Sequence, residues 1–320
     1  VGVLSFSSAH AEAVPELRAQ FQRAMQSPDD DRADSEALQG YVLYPYVQAA
    51  RLQRALADSS TPEPDARIRA FIAEHADAPY VRSLRTAWWL SLYRRQHWAD
   101  YLAAVGDQPS DPLLACQWLD AHLRLQRMEG FRERALETWM SGRDMPAACN
   151  DSFAWLRERG ELTEARIEQR LRLAINGHQF GLARYLIRQL PDDDQRIWTN
   201  AILVREQRQH FIERLISNPD APVPFEDLHA GFFRYARGNS EPARALLDRL
   251  LKAREFNAAE VSQFKRASAL ALAYSRDTSA LPLFRTLDGE SRDADALEWH
   301  ARIALWAGEW REARGVILSM

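Results

Sequence analysis

Lysine is almost missing from this chain. Of 41 basic residues only Lys252 and Lys265 are lysines, leaving 39 arginines. Because 45 acidic residues outnumber the bases and set a formal net charge of −4, the arginines make no basic face of the kind phosphate backbones require, and a nucleic-acid partner is not expected. Long apolar runs are missing too, which excludes a membrane-spanning helix of about 18 or more residues. Glycine is scarce at 13 residues, and no glycine-rich phosphate loop occurs. The eight histidines are scattered without His-x-x-x-His or His-Glu-x-x-His spacing, so no zinc site is expected. The acidic runs at 29–31 and 192–194 lack the alternating spacing of a calcium loop and read as helix-capping turns. No cofactor and no catalytic residue is expected in this chain.

What is present is helix-forming. Ala, Leu, Arg, Glu and Gln dominate, and the 46% hydrophobic content is too high for disorder. Apolar residues recur at helical spacing: Ile167, Leu171 and Ile175; Phe180, Ala183, Ile187 and Leu190; Ala243, Leu246, Leu247 and Leu250. Breaks are short and carry turn and capping residues, at 27–31, 58–64, 191–194 and 218–222. Gly160-Glu161-Leu162-Thr163-Glu164-Ala165-Arg166, Gly238-Asn239-Ser240-Glu241-Pro242-Ala243-Arg244 and Gly308-Glu309-Trp310-Arg311-Glu312-Ala313-Arg314 are degenerate copies of one pattern, with looser copies at Gly130 and Gly177. Each glycine is expected to end a helix in a left-handed cap, and each alanine to let the next helix pack closely. The offsets fit a helix-pair repeat of about 34 residues. The predicted fold is all-α, a superhelical array of antiparallel helix pairs.

The start of the chain, Val1 to Ala11, reads as the end of an apolar segment followed by Ala9-x-Ala11, a signal-peptidase pattern. Residues 1–11 are therefore expected to be a residual signal peptide, with a frayed terminus as the alternative, and 12–320 the helical domain. Export would suit the two cysteines, Cys116 and Cys149, whose even number suggests a disulfide; two buried free thiols are the other reading. The densest aromatic group is Trp88, Trp89, Tyr93, Trp98 and Tyr101. Helix packing accounts for such a group, and stacking on sugar rings is the sharper reading, carried by Trp88, Trp89, Tyr93 and Trp98. As neighbours in one helix, Trp88 and Trp89 cannot point the same way, so one is expected in the core and the other partly exposed.

Two segments carry a family resemblance. Tyr41-Val42-Leu43-Tyr44-Pro45-Tyr46 lies where a short helix should give way to a longer one near 46–57. Trp139, Gly142, Pro146 and Cys149 form a Trp-x-x-Gly-x-x-x-Pro-x-x-Cys pattern. Together they resemble the amino-terminal half of the soluble lytic murein transglycosylase family, over roughly 12–320, and Cys116 lies where that family has the partner cysteine. The resemblance implies a U-shaped or ring-like superhelical domain, a periplasmic location, peptidoglycan glycan strands as partner, and a lysozyme-like catalytic domain in cis. In the family that domain cleaves the MurNAc–GlcNAc bond and leaves 1,6-anhydromuramoyl ends. Its catalytic Glu-Ser is followed by a Gly-Leu-Met-Gln segment. Here the one Glu-Ser is Glu290-Ser291, no Gly-Leu-Met-Gln follows, and Glu290 reads as a turn residue. The catalytic domain is thus expected to be absent from this chain, which would guide glycan strands. In a ring, inward arginines could meet stem-peptide carboxylates or phosphate-bearing polymers, with solvated outer faces as the other reading. The alternative is an exported tetratricopeptide-like scaffold for protein partners.

Overall fold

The computed structural model describes residues 9–26, 34–58 and 63–320. The expected leader remnant, 1–11, lies outside the described residues except for the backbone of 9–11. The break at 27–31 and most of that at 58–64 lie outside them too. Among the described residues there is no strand. No helix among them is long and apolar enough to cross a membrane.

The chain divides into two compact units. The first runs to Trp139 and takes in 145–161; it holds α1 (Ala9–Gln26), α2 (Glu36–Gln39), α3 (Tyr44–Asp58), α4 (Glu63–Glu74), α5 (Pro79–Arg94), α6 (Trp98–Val105), α7 (Pro112–Arg124), α8 (Phe131–Trp139) and α9 (Asn150–Glu158). The second comprises 140–144 and 162–320. Its helices are α10 (Glu164–Asn176), α11 (Phe180–Ile187), α12 (Asp192–Gln207), α13 (Gln209–Ser217), α14 (Phe225–Ala236), α15 (Ser240–Ala253), α16 (Ala258–Tyr274), α17 (Leu281–Phe284), α18 (Ala294–Trp306) and α19 (Trp310–Ile317).

Two layers are plain in the second unit. α12 packs on α14 and α14 on α16, while α13 packs on α15, so first helices stack on first helices and second on second. The predicted apolar stripes face inward: Ile167, Leu171 and Ile175 are buried, as are Ala243, Leu246, Leu247 and Leu250. α16 differs from its neighbours. Seven consecutive residues, Ala267 to Ala273, are buried, and small side chains on every face let helices close around it. It opens with a reciprocal capping box between Asn257 and Glu260.

The corners repeat as well as the helices. At Gln96-His97-Trp98, His178-Gln179-Phe180 and Gly308-Glu309-Trp310, a left-handed residue is followed by one near φ −85°, ψ 63° and then by the aromatic residue that opens the next helix. In each, the middle residue's N–H reaches back five residues to a helix carbonyl: His97 to Leu92, Gln179 to Ala174, Glu309 to Ala304. The glycine expectation holds at 130, 160 and 308, whose φ values are 64°, 68° and 79°. It fails at Gly177, which has φ −80° and passes the left-handed turn to His178, and at Gly238, which is not left-handed. A left-handed side chain strains the backbone by about 1 kcal/mol or more. Gln96 is exposed with φ 63°. Gln96→Gly is therefore expected to stabilise the first unit by roughly 1 kcal/mol, read as a higher urea midpoint.

Polar side chains tie each pair to the next. Arg95 reaches Asp65, Tyr93 reaches Asp120, Arg132 reaches Glu161, Arg266 reaches Asp293 and Arg285 reaches Glu312, at sequence separations of 27 to 30. Arg254 donates to the Ala221 carbonyl 33 residues earlier. Five of these six ties use arginine, whose planar fork on a long stem can bridge neighbouring helices.

Candidate functional site

The aromatic group sits on α5 and the start of α6. Trp88 is enclosed at 4% exposure, and its Nε1–H donates to Asp65 Oδ1 at 2.8 Å. Asp65 also accepts two hydrogen bonds from Arg95, at 2.6 and 2.9 Å. Burial pushes the Asp65 carboxyl up, but the Arg95 and Trp88 hydrogen bonds outweigh it and hold the group below the usual range. Trp89 is partly exposed, and its indole Nε1 is buried without a partner. Tyr93 donates to Asp120 Oδ2 at 2.7 Å and packs edge-on against Trp98 and Tyr101, with ring centres 5.0 and 5.7 Å apart. The adjacent tryptophans therefore part as expected, one inward and one outward, while Tyr93 and Trp98 are held partly exposed.

The tyrosine segment begins a helix. α3 starts at Tyr44, two residues earlier than expected, with Pro45 in its first turn where no N–H is needed. Tyr44 donates to Asp34 Oδ2 at 2.8 Å; Arg51 also pairs with Asp34. Tyr46 packs edge-on against Tyr80 at 4.7 Å. Tyr44, Gln48, Arg51, Arg67 and Glu74 line a polar concavity of about 430 Å³.

The cysteine segment is pinned at several points. Cys116 in α7 and Cys149 are disulfide-bonded, with Cα atoms 4.6 Å apart and neither residue exposed. Trp139 is buried at its start. In the second unit, a Cβ at Gly142 would lie 2.8 Å from the Leu173 carbonyl oxygen, so only glycine permits this approach to α10. Arg170, also in α10, is buried and donates through Nε to the Ser141 carbonyl at 3.0 Å. Burial pulls its guanidinium down to about 10, which still leaves it charged at neutral pH.

A second charged centre had no signature in the sequence. Asp227, fully buried in the first turn of α14, accepts from Arg172 Nη1 at 2.7 Å and from Arg205 Nε at 2.9 Å. Arg205 also reaches Asn176 Oδ1 at 3.4 Å. Arg234, at the end of α14, contacts His178 Nε2 at 3.0 Å. α12 and α14 meet so closely that a Cβ at Gly231 would be 2.6 Å from the Val204 carbonyl oxygen.

Glu290 lies exposed in a short 3-10 turn, Gly289–Ser291. Among the described residues, no group of three or more His, Cys, Asp or Glu side chains is placed to hold a metal ion.

No family model matches the chain. Curated relatives do. The soluble lytic murein transglycosylase of Escherichia coli is 25% identical over 320 residues, covering 97% of this chain and 49% of the relative. That of Salmonella typhimurium is 24% identical over 310 residues, covering 95% and 47%. The chain is homologous to the soluble lytic murein transglycosylases. Solved structures agree. The lytic transglycosylase Slt of Pseudomonas aeruginosa, solved as an inactive mutant, superposes with a TM-score of 0.65 at 27% identity, over 93% of this chain and 48% of that one. The 70-kDa soluble lytic transglycosylase of Escherichia coli gives a TM-score of 0.62 at 20% identity, over 95% and 55%, a likeness of fold. This homologue spans about half the length of the curated relatives it matches.

Proposed function

We propose that this chain is the amino-terminal, non-catalytic portion of a periplasmic soluble lytic transglycosylase. The whole enzyme would cleave the MurNAc–GlcNAc bond of peptidoglycan and leave 1,6-anhydromuramoyl products. The portion described here would form a U-shaped or ring-like superhelix that guides glycan strands and positions the catalytic domain in cis. The observation that carries this reading is a match over 97% of the chain to proteins twice its length, combined with the missing Glu-Ser and Gly-Leu-Met-Gln pairing. The disulfide supports an oxidising compartment. Stacked helix pairs suit an extended polymer better than a small molecule. Of the four aromatics Trp88, Trp89, Tyr93 and Trp98, the last three are partly exposed and would offer a face to a sugar ring, while Trp88 would act by holding α5 in place.

The test uses the purified chain and isolated murein sacculi. The expected result is retention on sacculi, weakened in Trp89→Ala, with no release of 1,6-anhydro muropeptides. Release of such products by the chain alone overturns the non-catalytic assignment. Failure to bind sacculi, with capture of protein partners instead, favours the scaffold reading.

A further inference from the structure

A cavity of about 740 Å³ opens in the second unit, between the first half of α12 and the end of α13 with the loop that follows it. Its volume is that of a small-ligand site. The loop wall is fixed from two sides. Asn200 Nδ2 donates to the Pro222 carbonyl at 2.7 Å, and Arg254 Nη1 donates to the Ala221 carbonyl at 2.9 Å. Gln195, also in the lining, donates through Nε2 to the Leu190 carbonyl at 2.8 Å. Both amides are thus held by their nitrogens, which leaves their oxygens for a ligand. Charges of both signs line the same cavity: Arg196 and Arg214, Asp192 and Asp220. Among the described residues, Arg214 and Asp220 form no ion pair, with each other or with another side chain; Arg214 rests over the Phe211 ring, 5.0 Å from its centre. Burial lowers the Arg254 guanidinium and the Asp220 charge opposes that, yet Arg254 gives its hydrogen bond to the loop backbone. Arg196 leans at 3.4 Å on Asp193 of its own helix, with both side chains exposed.

We propose that this cavity binds a short zwitterionic peptide with both ends free, its carboxylate on Arg214 and its ammonium on Asp220. A ligand of one sign gains one contact and loses the other: an anion meets Asp192 and Asp220, a cation meets Arg196 and Arg214. A zwitterion answers both signs with charge-assisted hydrogen bonds, and the free oxygens of Gln195 and Asn200 accept from its peptide N–H groups. A neutral sugar leaves both charges unanswered, and no aromatic ring stands among the lining residues for its face to stack on. The two unpaired charges sit on fixed walls, Arg214 on α13 and Asp220 on the doubly anchored loop, so little ordering is needed when a ligand arrives. This site does not rest on the glycan-strand reading.

The experiment is isothermal titration calorimetry of the chain with the tripeptide Ala-Ala-Ala. The free tripeptide should bind. Its N-acetyl form and its C-terminal amide should each bind about tenfold more weakly, because each loses one charge-assisted contact. The peptide blocked at both ends should not bind. Variants then assign the ends. Arg214→Gln should weaken the free tripeptide about tenfold and leave the affinity for the C-terminal amide unchanged. Asp220→Asn should weaken the free tripeptide similarly and leave the affinity for the N-acetyl form unchanged. Arg311→Gln, on an exposed position of α19, should change neither. Circular dichroism separates lost binding from lost fold, and the blocked peptides test the same contacts on the unaltered chain. No binding of the free tripeptide at millimolar concentration, equal binding of the doubly blocked peptide, an affinity unmoved by both variants, or tighter binding of an N-acetylglucosamine trimer than of the tripeptide would each overturn the assignment.

Discussion

Asp227→Ala is expected to cost the second unit about 3–5 kcal/mol, the range seen when one partner of a buried ion pair is removed. Asp227 has no exposed surface, and its two oxygens neutralise Arg172 and Arg205, whose side chains are 29% and 15% exposed. Without the carboxylate, two guanidiniums stand close together with their strongest acceptor gone. Asp227 also lies in the first turn of α14, where a negative charge is favoured by the helix dipole. Asn at this position keeps the shape and one acceptor, so Asp227→Asn should lose less than alanine. Urea unfolding followed by circular dichroism checks both. A loss below about 1 kcal/mol for the alanine variant would mean that the arginines find other partners and that the triad is not a keystone.

Reducing the Cys116–Cys149 bond is expected to cost the first unit roughly 3–4 kcal/mol. The two residues are 33 apart in sequence, and opening a loop of that size returns chain entropy to the unfolded state on the usual model. Urea midpoints with and without reductant measure the loss. The Cys116→Ser, Cys149→Ser double variant should match the reduced protein and should no longer respond to reductant. An unchanged midpoint on reduction would show that packing of α7 against the Ala147–Cys149 turn suffices without the covalent bond.

Much of the fold was legible because helical periodicity is a strong signal. The stripes at 167–175 and 243–250 are core residues, and the split between Trp88 and Trp89 follows from helix geometry alone. Glycine was a weaker guide. It marks the left-handed turns at 130, 160 and 308, but Gln96, Gln126, His178 and Arg276 turn at positive φ too, with no sequence sign of it. There, the five-residue backbone hydrogen bond and the docking of the next helix outweigh local preference. The arginines were the hardest to read. Their partners lie one repeat away, so composition registers a surplus where the structure has ties. Asp227 looks like any first-turn acid, and only the packing of α14 on α12 makes it a buried counter-ion. The resemblance did expose the cysteine segment, and the structure supplies its reasons: core burial for Trp139, close approach for Gly142, and covalent closure for Cys149.

The spacing of the polar ties bears on the order in which the molecule can be assembled. Most join residues 27 to 33 apart, and the disulfide, at 33, obeys the same span. A chain emerging from one end first can therefore finish each pair soon after its last residue appears. The contacts around the charged centre break that habit. Arg172 meets Asp227 across 55 residues, and Arg234 meets His178 across 56. Until α14 has emerged, Arg172 and Arg205 have no Asp227 to neutralise them.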